Sequence, residues 1–325
     1  MAVGYRGGLI TGKIGGDVGY MVKNAKGRVS QGWRAYQAHV SNPNNYAQRY
    51  NRVILSTMAR AYAVLRPICD HSFEGVNGAS RNQKEFAKVN MPVLQARAAG
   101  NTGNFNLKGL FAGLLNPLII SKGSMPALSV VKGTVGNVQL IVNLPAALNG
   151  DYTTATLGDF FDAMGWDNSG QLTLCWTEGE DGPEIIRFRY ARFVFKLGET
   201  YQGATSGDIA TRDTLLFGYT SQGESEDYFF HCNMGESVGI APIKVVPGDN
   251  TDGNIVQFQF GNLLSDSANY RIGAVSAINS ALVGNNWKRS TQILETGESG
   301  EAGYGINDAI ASYATTTDSS LYLNH

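Results

Sequence analysis

Arginine and aromatic residues alternate in two segments of the sequence, and these residue types contact phosphates and stack on bases. The first segment, SNPNNYAQRYNR at 41–52, opens a predicted helix. At about 100° per residue, its Arg residues cluster roughly 120° away from an apolar stripe. We expect the stripe to pack and the Arg face to point outward, toward the phosphates of a nucleic acid or toward acidic loops of this chain or a neighbouring subunit. The Arg face consists of Arg49, Arg52 and Arg60, and the stripe of Tyr50, Ile54, Thr57, Ala61 and Leu65.

The second segment, IIRFRYARFVFKL at 185–197, interleaves Arg187 and Arg189 with aromatic residues. Its alternation changes phase at Ala191, because the later Phe residues fall on what had been the Arg face, and this predicts a bulge or a strong bend. Such a strand can bind single-stranded nucleic acid. It can equally be an amphipathic strand whose Arg residues pair with the adjacent acidic turn, and this structural interpretation is the one we favour.

Signatures of catalysis and of phosphate loops are weak. The stretch GGLITGK at 7–13 fits the skeleton of a phosphate-binding loop, but Ile14 occupies the position of the Ser or Thr that holds magnesium. The sequence contains neither GxSxG nor HExxH. Acidic turns such as DNTDGN at 249–254 lack the ligand spacing of a helix–loop–helix calcium site. We therefore predict a non-enzymatic protein without a cofactor.

Two of the cysteines have a histidine close by in the sequence and are therefore candidate metal ligands. Cys69 and His71 form a Cys-x-His pair, and His231 and Cys232 are adjacent, but neither spacing is common in tetrahedral zinc sites. We predict no metal site, with Cys69 as a loop or core thiol and Cys232 as a buried strand residue. Three cysteines without a CxxC spacing argue against a disulfide framework and suit a reducing compartment.

Charge is divided unevenly along the chain. Residues 1–100 contain 14 Lys and Arg against 4 Asp and Glu, whereas residues 101–325 contain 12 against 23. Such a reversal is typical of a segment that faces nucleic acid or an acidic partner, although two halves that attract each other would give the same pattern. Lys13 and Arg34 join the candidate contact residues of the basic part.

The N-terminal part is predicted to contain a hairpin and two helices. DVGYMVKN, the turn NAKG at 24–27 and GRVSQGWRAYQ form the hairpin. The first helix begins at Pro43 with Asn42 as its cap and ends at Arg66, before Pro67. The second runs over 81–98 and is broken or kinked near Pro92. We place a domain boundary after residue 100.

Strands dominate residues 101–325. The candidates are VQLIVNL, QLTLCW, IIRFRYARFVFKL, TLLFGYT, YFFHCN, GIAPIKVV, NIVQFQF, YRIGAVSAI and WKRSTQIL. One short helix interrupts them, with Thr156 as its cap and Asp159 three residues later. The predicted fold is α+β to mainly β: a basic hairpin-plus-helices region at 1–100, followed by an acidic antiparallel β-sandwich or jelly-roll-like domain at 101–325.

The segments GKIGGDVGY at 12–20, SNP at 41–43, QR at 48–49 and SFEG at 72–75 follow one another along the N-terminal part. In these features it resembles a bacterial and phage-encoded domain family of unknown function, whose pattern has an aromatic residue directly before the Gly where Glu74 intervenes here. The stretch at 270–290 is similar to the terminal hairpin of related proteins. The resemblance implies no activity.

Together these features predict a self-assembling structural protein of a phage or mobile element, capsid-type or virion-associated. Its expected partners are further copies of itself and, through the N-terminal basic region, DNA or RNA. We expect no signal peptide and no membrane span, and place it in the virion or the host cytoplasm. The alternatives are an intracellular single-stranded nucleic-acid-binding protein and an adhesive or interaction module.

Overall fold

The structure, a computed structural model, describes residues 3–4, 10–14, 17–23, 28–36, 46–76, 78–99, 118–132, 139–143, 154–180, 186–201, 208–222, 225–231, 233–238, 243–247, 256–260 and 270–294. The chain forms two compact units, Met1–Asn45 and Tyr46–His325. The fold is mixed α+β and mainly β, with antiparallel sheets.

The first unit is one antiparallel sheet in the order β1-β2-β3-β4. Its strands are β1 (Val3–Gly4), β2 (Ile10–Ile14), β3 (Asp17–Lys23) and β4 (Val29–Ala35). The predicted hairpin is confirmed, since β3 and β4 pair from Asp17 opposite Ala35 to Lys23 opposite Val29. The predicted turn at 24–27 lies outside the described residues. Within β3 and β4, Gly19 is the one buried residue.

Within its described residues, the second unit contains three helices and three sheets. The helices are α1 (Tyr46–Cys69), α2 (Ala79–Ala99) and α3 (Leu157–Met164). The strands are β5 (Leu118–Ser121), β6 (Ser129–Lys132), β7 (Gln139–Asn143), β8 (Ser169–Glu180), β9 (Ile186–Lys196), β10 (Phe217–Gln222), β11 (Ser225–Phe230), β12 (Asn233–Val238), β13 (Ile243–Pro247), β14 (Val256–Phe260), β15 (Tyr270–Val283), β16 (Asn286–Arg289) and β17 (Gln292–Leu294). The sheet orders are β10-β11-β13-β14-β7-β6, β12-β9-β8-β15-β16 and β17-β5.

Each of the nine predicted strands overlaps an observed strand. YFFHCN is divided between β11 and β12, and WKRSTQIL between β16 and β17, while β5 and β6 were not predicted. The boundary predicted after residue 100 lies outside the described residues. Both long helices belong to the unit that contains the larger sheets, because they share a hydrophobic core with β9 and β15.

The prediction that the first helix ends at Arg66 was wrong. α1 continues through Pro67 to Cys69, and the amide of Asp70 still donates to the carbonyl of Arg66 at 3.0 Å. Pro67 lacks the amide hydrogen that would bond to the preceding turn, yet the helix continues for two more residues. α2 likewise runs through Pro92 without a break. Asn42 and Pro43, the predicted start of α1, lie outside the described residues.

The five-stranded sheet carries a hydrophobic core on each face. Alternate residues of one strand enter different cores, as Cys175 and Leu174 of β8 do. The core beneath α1 and α2 includes Ile54, Leu65, Phe86, Cys175, Phe188, Tyr190 and Ile278. The core around α3 includes Phe160, Phe161, Trp166, Leu174, Phe193, Phe195 and Ala277.

The predicted bulge in the 185–197 segment is not found where β9 meets β8, since their register is continuous from Ser169 opposite Lys196 to Gly179 opposite Ile186. The phase change has another cause: the first half of β9 fills the core under the long helices, and the second half fills the core around α3. A register shift does occur in the pairing with β12, between Met234 and Ser237.

The predicted start of α3 is confirmed in detail. The amide of Asp159 donates to the Thr156 hydroxyl at 3.2 Å, and the amide of Thr156 donates to the Asp159 carboxylate at 3.1 Å, which forms a capping box. The helix ends at Met164 and is capped by Gly165, whose φ of 71° is left-handed. This helix places Phe160 and Phe161 in the core.

Candidate functional site

The α1 face that carries the candidate Arg residues points away from the core. Arg52 and Arg60 are both exposed, and they lie eight residues apart, which is about 12 Å along the helix axis. Arg49 lies in α1, but its side chain is outside the described residues. On the opposite face the predicted apolar stripe is confirmed: Tyr50 is half-buried, and Ile54, Thr57, Ala61 and Leu65 are fully buried.

The candidate Arg residues of β9 are in a different setting. Arg189 is half-buried and lies opposite Trp176 of β8, while the side chain of Arg187 is outside the described residues. β9 is an inner strand between β12 and β8. Its aromatic residues are buried in the two cores and so cannot stack on a bound base: Phe188, Tyr190, Phe193 and Phe195.

Lys13 and Arg34 lie in the first unit. The backbone of Lys13 in β2 is opposite Val18, and Val18 is opposite Arg34, so the three residues lie in one row across three strands. Arg34 is exposed, whereas the side chain of Lys13 is outside the described residues. The seven candidate residues therefore lie on three sets of elements: β2 and β4 of the first unit, and α1 and β9 of the second.

The structure reveals one surface feature that the sequence pattern did not predict. The β3–β4 hairpin exposes large apolar side chains on both of its faces, including Tyr20 at 42%, Trp33 at 49% and Tyr36 at 43%. Met21, Val22 and Val29 are exposed as well. Exposed apolar surface of this kind marks interaction sites. Alternation in the sequence places Val18, Tyr20 and Val22 on one face of the hairpin, but it does not show whether either face is covered.

Two arginines from distant strands meet the C-terminal end of α1. Arg192 donates to the carbonyl of Pro67, and Arg289 donates to the carbonyl of Asp70 at 2.9 Å. Positive charge is favourable there because the helix dipole is negative at its C-terminus. Burial lowers the pKa of Arg289 to about 10, with a further contribution from Arg192. This guanidinium therefore stays ionised at neutral pH and serves the fold.

Glu74 holds three chain segments together close to the C-terminal end of α1. Its carboxylate accepts hydrogen bonds from the amide of Ser124 at 3.0 Å and from the amide of Arg289 at 2.9 Å, and it lies 3.7 Å from Lys288. Burial opposes ionisation, but hydrogen bonds from Ser124 and Arg289 and the charge of Lys288 outweigh it, so the pKa of Glu74 is lowered. Glu74 is the residue at which the chain departs from the pattern of the family it resembles, and these contacts give it a structural role.

The two described thiols lie in the core. Cys69 is fully buried and lies 3.5 Å from the carbonyl of Ile120, and burial raises its pKa to about 12. Burial raises the pKa of Cys175 as well. His71 stacks on Trp287 at 6.0 Å between ring centroids. Among the described residues no three His, Cys, Asp or Glu side chains form a group that could hold a metal ion, and Cys232 lies outside them.

No protein-family model, no curated protein and no solved structure matches this chain. The resemblance of its N-terminal part to a phage-encoded family therefore stays a prediction. Within the described parts of the chain, no helix has both the length and the apolar character needed to cross a membrane.

Proposed function

We propose that this chain is a non-enzymatic structural subunit of a phage or mobile-element particle, capsid-type or virion-associated, that assembles with copies of itself. The observation that carries the proposal is the two-faced apolar hairpin of the first unit. Because a small sheet that leaves both faces exposed buries little apolar surface, contact with a neighbouring subunit would supply the missing burial.

Two further features support a structural subunit. The edge strands of the antiparallel sheets offer backbone groups for pairing between subunits. The basic first 100 residues and the acidic remainder provide opposite charges for contacts between copies or with packaged nucleic acid. In this proposal the acidic part is a β-sandwich or jelly-roll-like shell domain, and what supports it is that both larger sheets are antiparallel.

The oligomeric state of the purified full-length chain tests the proposal. We expect light scattering at moderate salt to give the mass of a stable oligomer and negative-stain imaging to show closed rings or shells. A monomer at high micromolar concentration would overturn the structural-subunit proposal and leave a binding protein as the better explanation.

The second candidate function is binding of single-stranded nucleic acid, and the exposure of Arg52 and Arg60 on one face of α1 favours it. Phosphate contacts from such a face release counterions from the nucleic acid, so binding would be strongly salt-dependent and independent of base sequence. Fluorescence anisotropy with single-stranded DNA, duplex DNA and RNA at about 50 mM salt measures it directly. Absence of binding to all three would exclude this function.

A further inference from the structure

We propose that the β3–β4 hairpin of one copy docks on an acidic surface beside α3 of a second copy. This inference rests on the proposed function and identifies the surfaces that would build the assembly. The hairpin combines exposed apolar side chains with a basic character, since the exposed charged residues within 17–23 and 28–36 are Lys23, Arg28 and Arg34 against Asp17.

The complementary surface surrounds the start of α3, and we call it the acidic rim: the described residues of 154–169 and 196–216. Backbone hydrogen bonds hold its segments side by side. Leu157 donates to Thr214 and Gly158 donates to Arg212, both at 2.8 Å, and Gly198 donates to Ala210 at 2.8 Å. The described rim contains six acidic residues, all exposed, and two basic ones. The acids are Asp159, Asp162, Asp167, Glu199, Asp208 and Asp213.

The rim also exposes apolar side chains beside its acids. Ile209 is 54% exposed and adjoins Asp208, and Leu215 is 45% exposed two residues after Asp213. The hairpin and the rim therefore match in both respects, because each exposes apolar residues and their charges are opposite. Complementary charge of this kind selects the partner and its orientation.

A second copy fits the hairpin better than a nucleic acid does. Bases stack on aromatic rings, but the hairpin also exposes Met21, Val22 and Val29, whose aliphatic side chains cannot stack on a base as an aromatic ring does. Met and aromatic residues are enriched at protein interfaces. Two hairpins would repel each other through their like charges. A contact between two different surfaces is heterologous, and repetition of such a contact generates a ring when the rotation closes.

Charge reversal on each surface tests the proposal in the full-length chain. The hairpin variant is Lys23→Glu with Arg34→Glu, and the rim variant is Asp208→Lys with Asp213→Lys. We expect each variant alone to be monomeric at a concentration where the wild type is assembled. A 1:1 mixture should recover the assembled mass, because the acidic hairpin then meets a basic rim and the basic hairpin meets an acidic rim.

The matched control is Lys84→Glu with Lys122→Glu, which changes the net charge as the hairpin variant does but at exposed positions outside both surfaces. It should assemble as the wild type does. Circular dichroism identifies any variant that fails to fold. In that event amide hydrogen exchange on the wild type decides the question: β4 should be protected more than tenfold on assembly, and equal exchange in β4 before and after assembly would overturn the proposal.

Other outcomes separate the two levels of inference. If both variants assemble like the wild type, or if their mixture stays monomeric, the hairpin–rim contact is wrong while the structural-subunit proposal stands. If the hairpin variant assembles but loses binding to oligothymidylate, the hairpin is a nucleic-acid surface instead. A monomeric wild type would overturn both the contact and the structural-subunit proposal.

Discussion

Among the described glycines, two lie beneath an aromatic ring, one in the hairpin and one in the core. Gly32 of β4 faces the ring of Tyr20, and an added Cβ would lie 2.6 Å from the Tyr20 Cζ atom. Gly170 of β8 faces Trp166, and a Cβ there would come closer still. The local arrangement is the same, but the surroundings of the two rings differ.

The difference lies in what else holds each ring. Trp166 is 3% exposed, its indole N–H donates to Asn279 at 2.6 Å, and its ring packs edge-on against Phe160 at 5.2 Å between centroids. Tyr20 is 42% exposed. The comparison leads us to expect that a glycine under an aromatic ring matters for stability where the ring is packed in a core, and is replaceable where the ring is exposed and can move.

The largest effect is expected for Gly170→Ala. The new methyl group must displace the Trp166 ring from a packed core, so we expect the free energy of unfolding to fall by about 3 kcal/mol, the upper range for overpacking. Urea unfolding followed by tryptophan fluorescence measures this. A loss below about 0.5 kcal/mol would show that the core around α3 adapts as freely as the hairpin does.

An intermediate effect is expected for Glu74→Gln, which removes a charged acceptor that joins three segments. We expect a loss of about 1–3 kcal/mol at neutral pH, because the amides of Ser124 and Arg289 lose their ionic partner. Unfolding of the variant by urea at neutral pH, compared with the wild type, gives this value.

The same variant has a characteristic pH dependence. Folding lowers the pKa of Glu74 from its ordinary value of 4.5, so the ionised form stabilises the fold above that pH. This stabilisation is lost as the pH falls through the lowered folded-state pKa. The difference in stability between wild type and variant should therefore shrink below about pH 4.5, and a difference that stays constant down to pH 2 would contradict the role given to this carboxylate.

A change on the Arg face should affect binding without affecting stability. Replacement of Arg49, Arg52 and Arg60 by Gln should flatten the slope of log affinity against log salt by roughly two to three units if each contacts a phosphate. Exposed ion pairs contribute about 0–1 kcal/mol, so the melting temperature should hardly move. An unchanged slope, together with lost assembly, would identify the face as a subunit contact.

The smallest effect is expected for Gly32→Ala. Because Tyr20 is exposed, its ring can rotate away from the new methyl group, and the free energy of unfolding should change by less than about 0.5 kcal/mol. Measured beside Gly170→Ala under the same conditions, this variant completes the comparison. Both variants are measured below the concentration at which the chain assembles, because the proposed contact would cover the hairpin. A loss as large as that of Gly170→Ala under these conditions would mean that the Tyr20 ring is held in place within a single copy.

Short-range spacing predicted the local elements well. The apolar stripe of α1, the capping box of Thr156 and Asp159, and the hairpin each depend on residues a few positions apart or on regular alternation, and the structure confirms them. The end of α1 was predicted wrongly because proline is a statistical stop signal. In this protein the carbonyl of Pro67 in the last turn and the carbonyl of Asp70 directly after it accept hydrogen bonds from Arg192 and Arg289, which are more than 100 residues away.

The sequence by itself determined the periodicities, the charge division and the positions of the seven basic candidates. Only the tertiary structure decided which faces are covered. In the sequence, the phase change in β9 indicates a bulge. In the structure it arises because the first half of the strand packs in one core and the second half in the other. The alternation in β3 and β4 is typical of strands that bury an apolar face, yet large apolar side chains are exposed on both faces of the hairpin. A periodic pattern indicates which side chains share a face. Whether that face is buried depends on whether segments distant in the sequence pack against it.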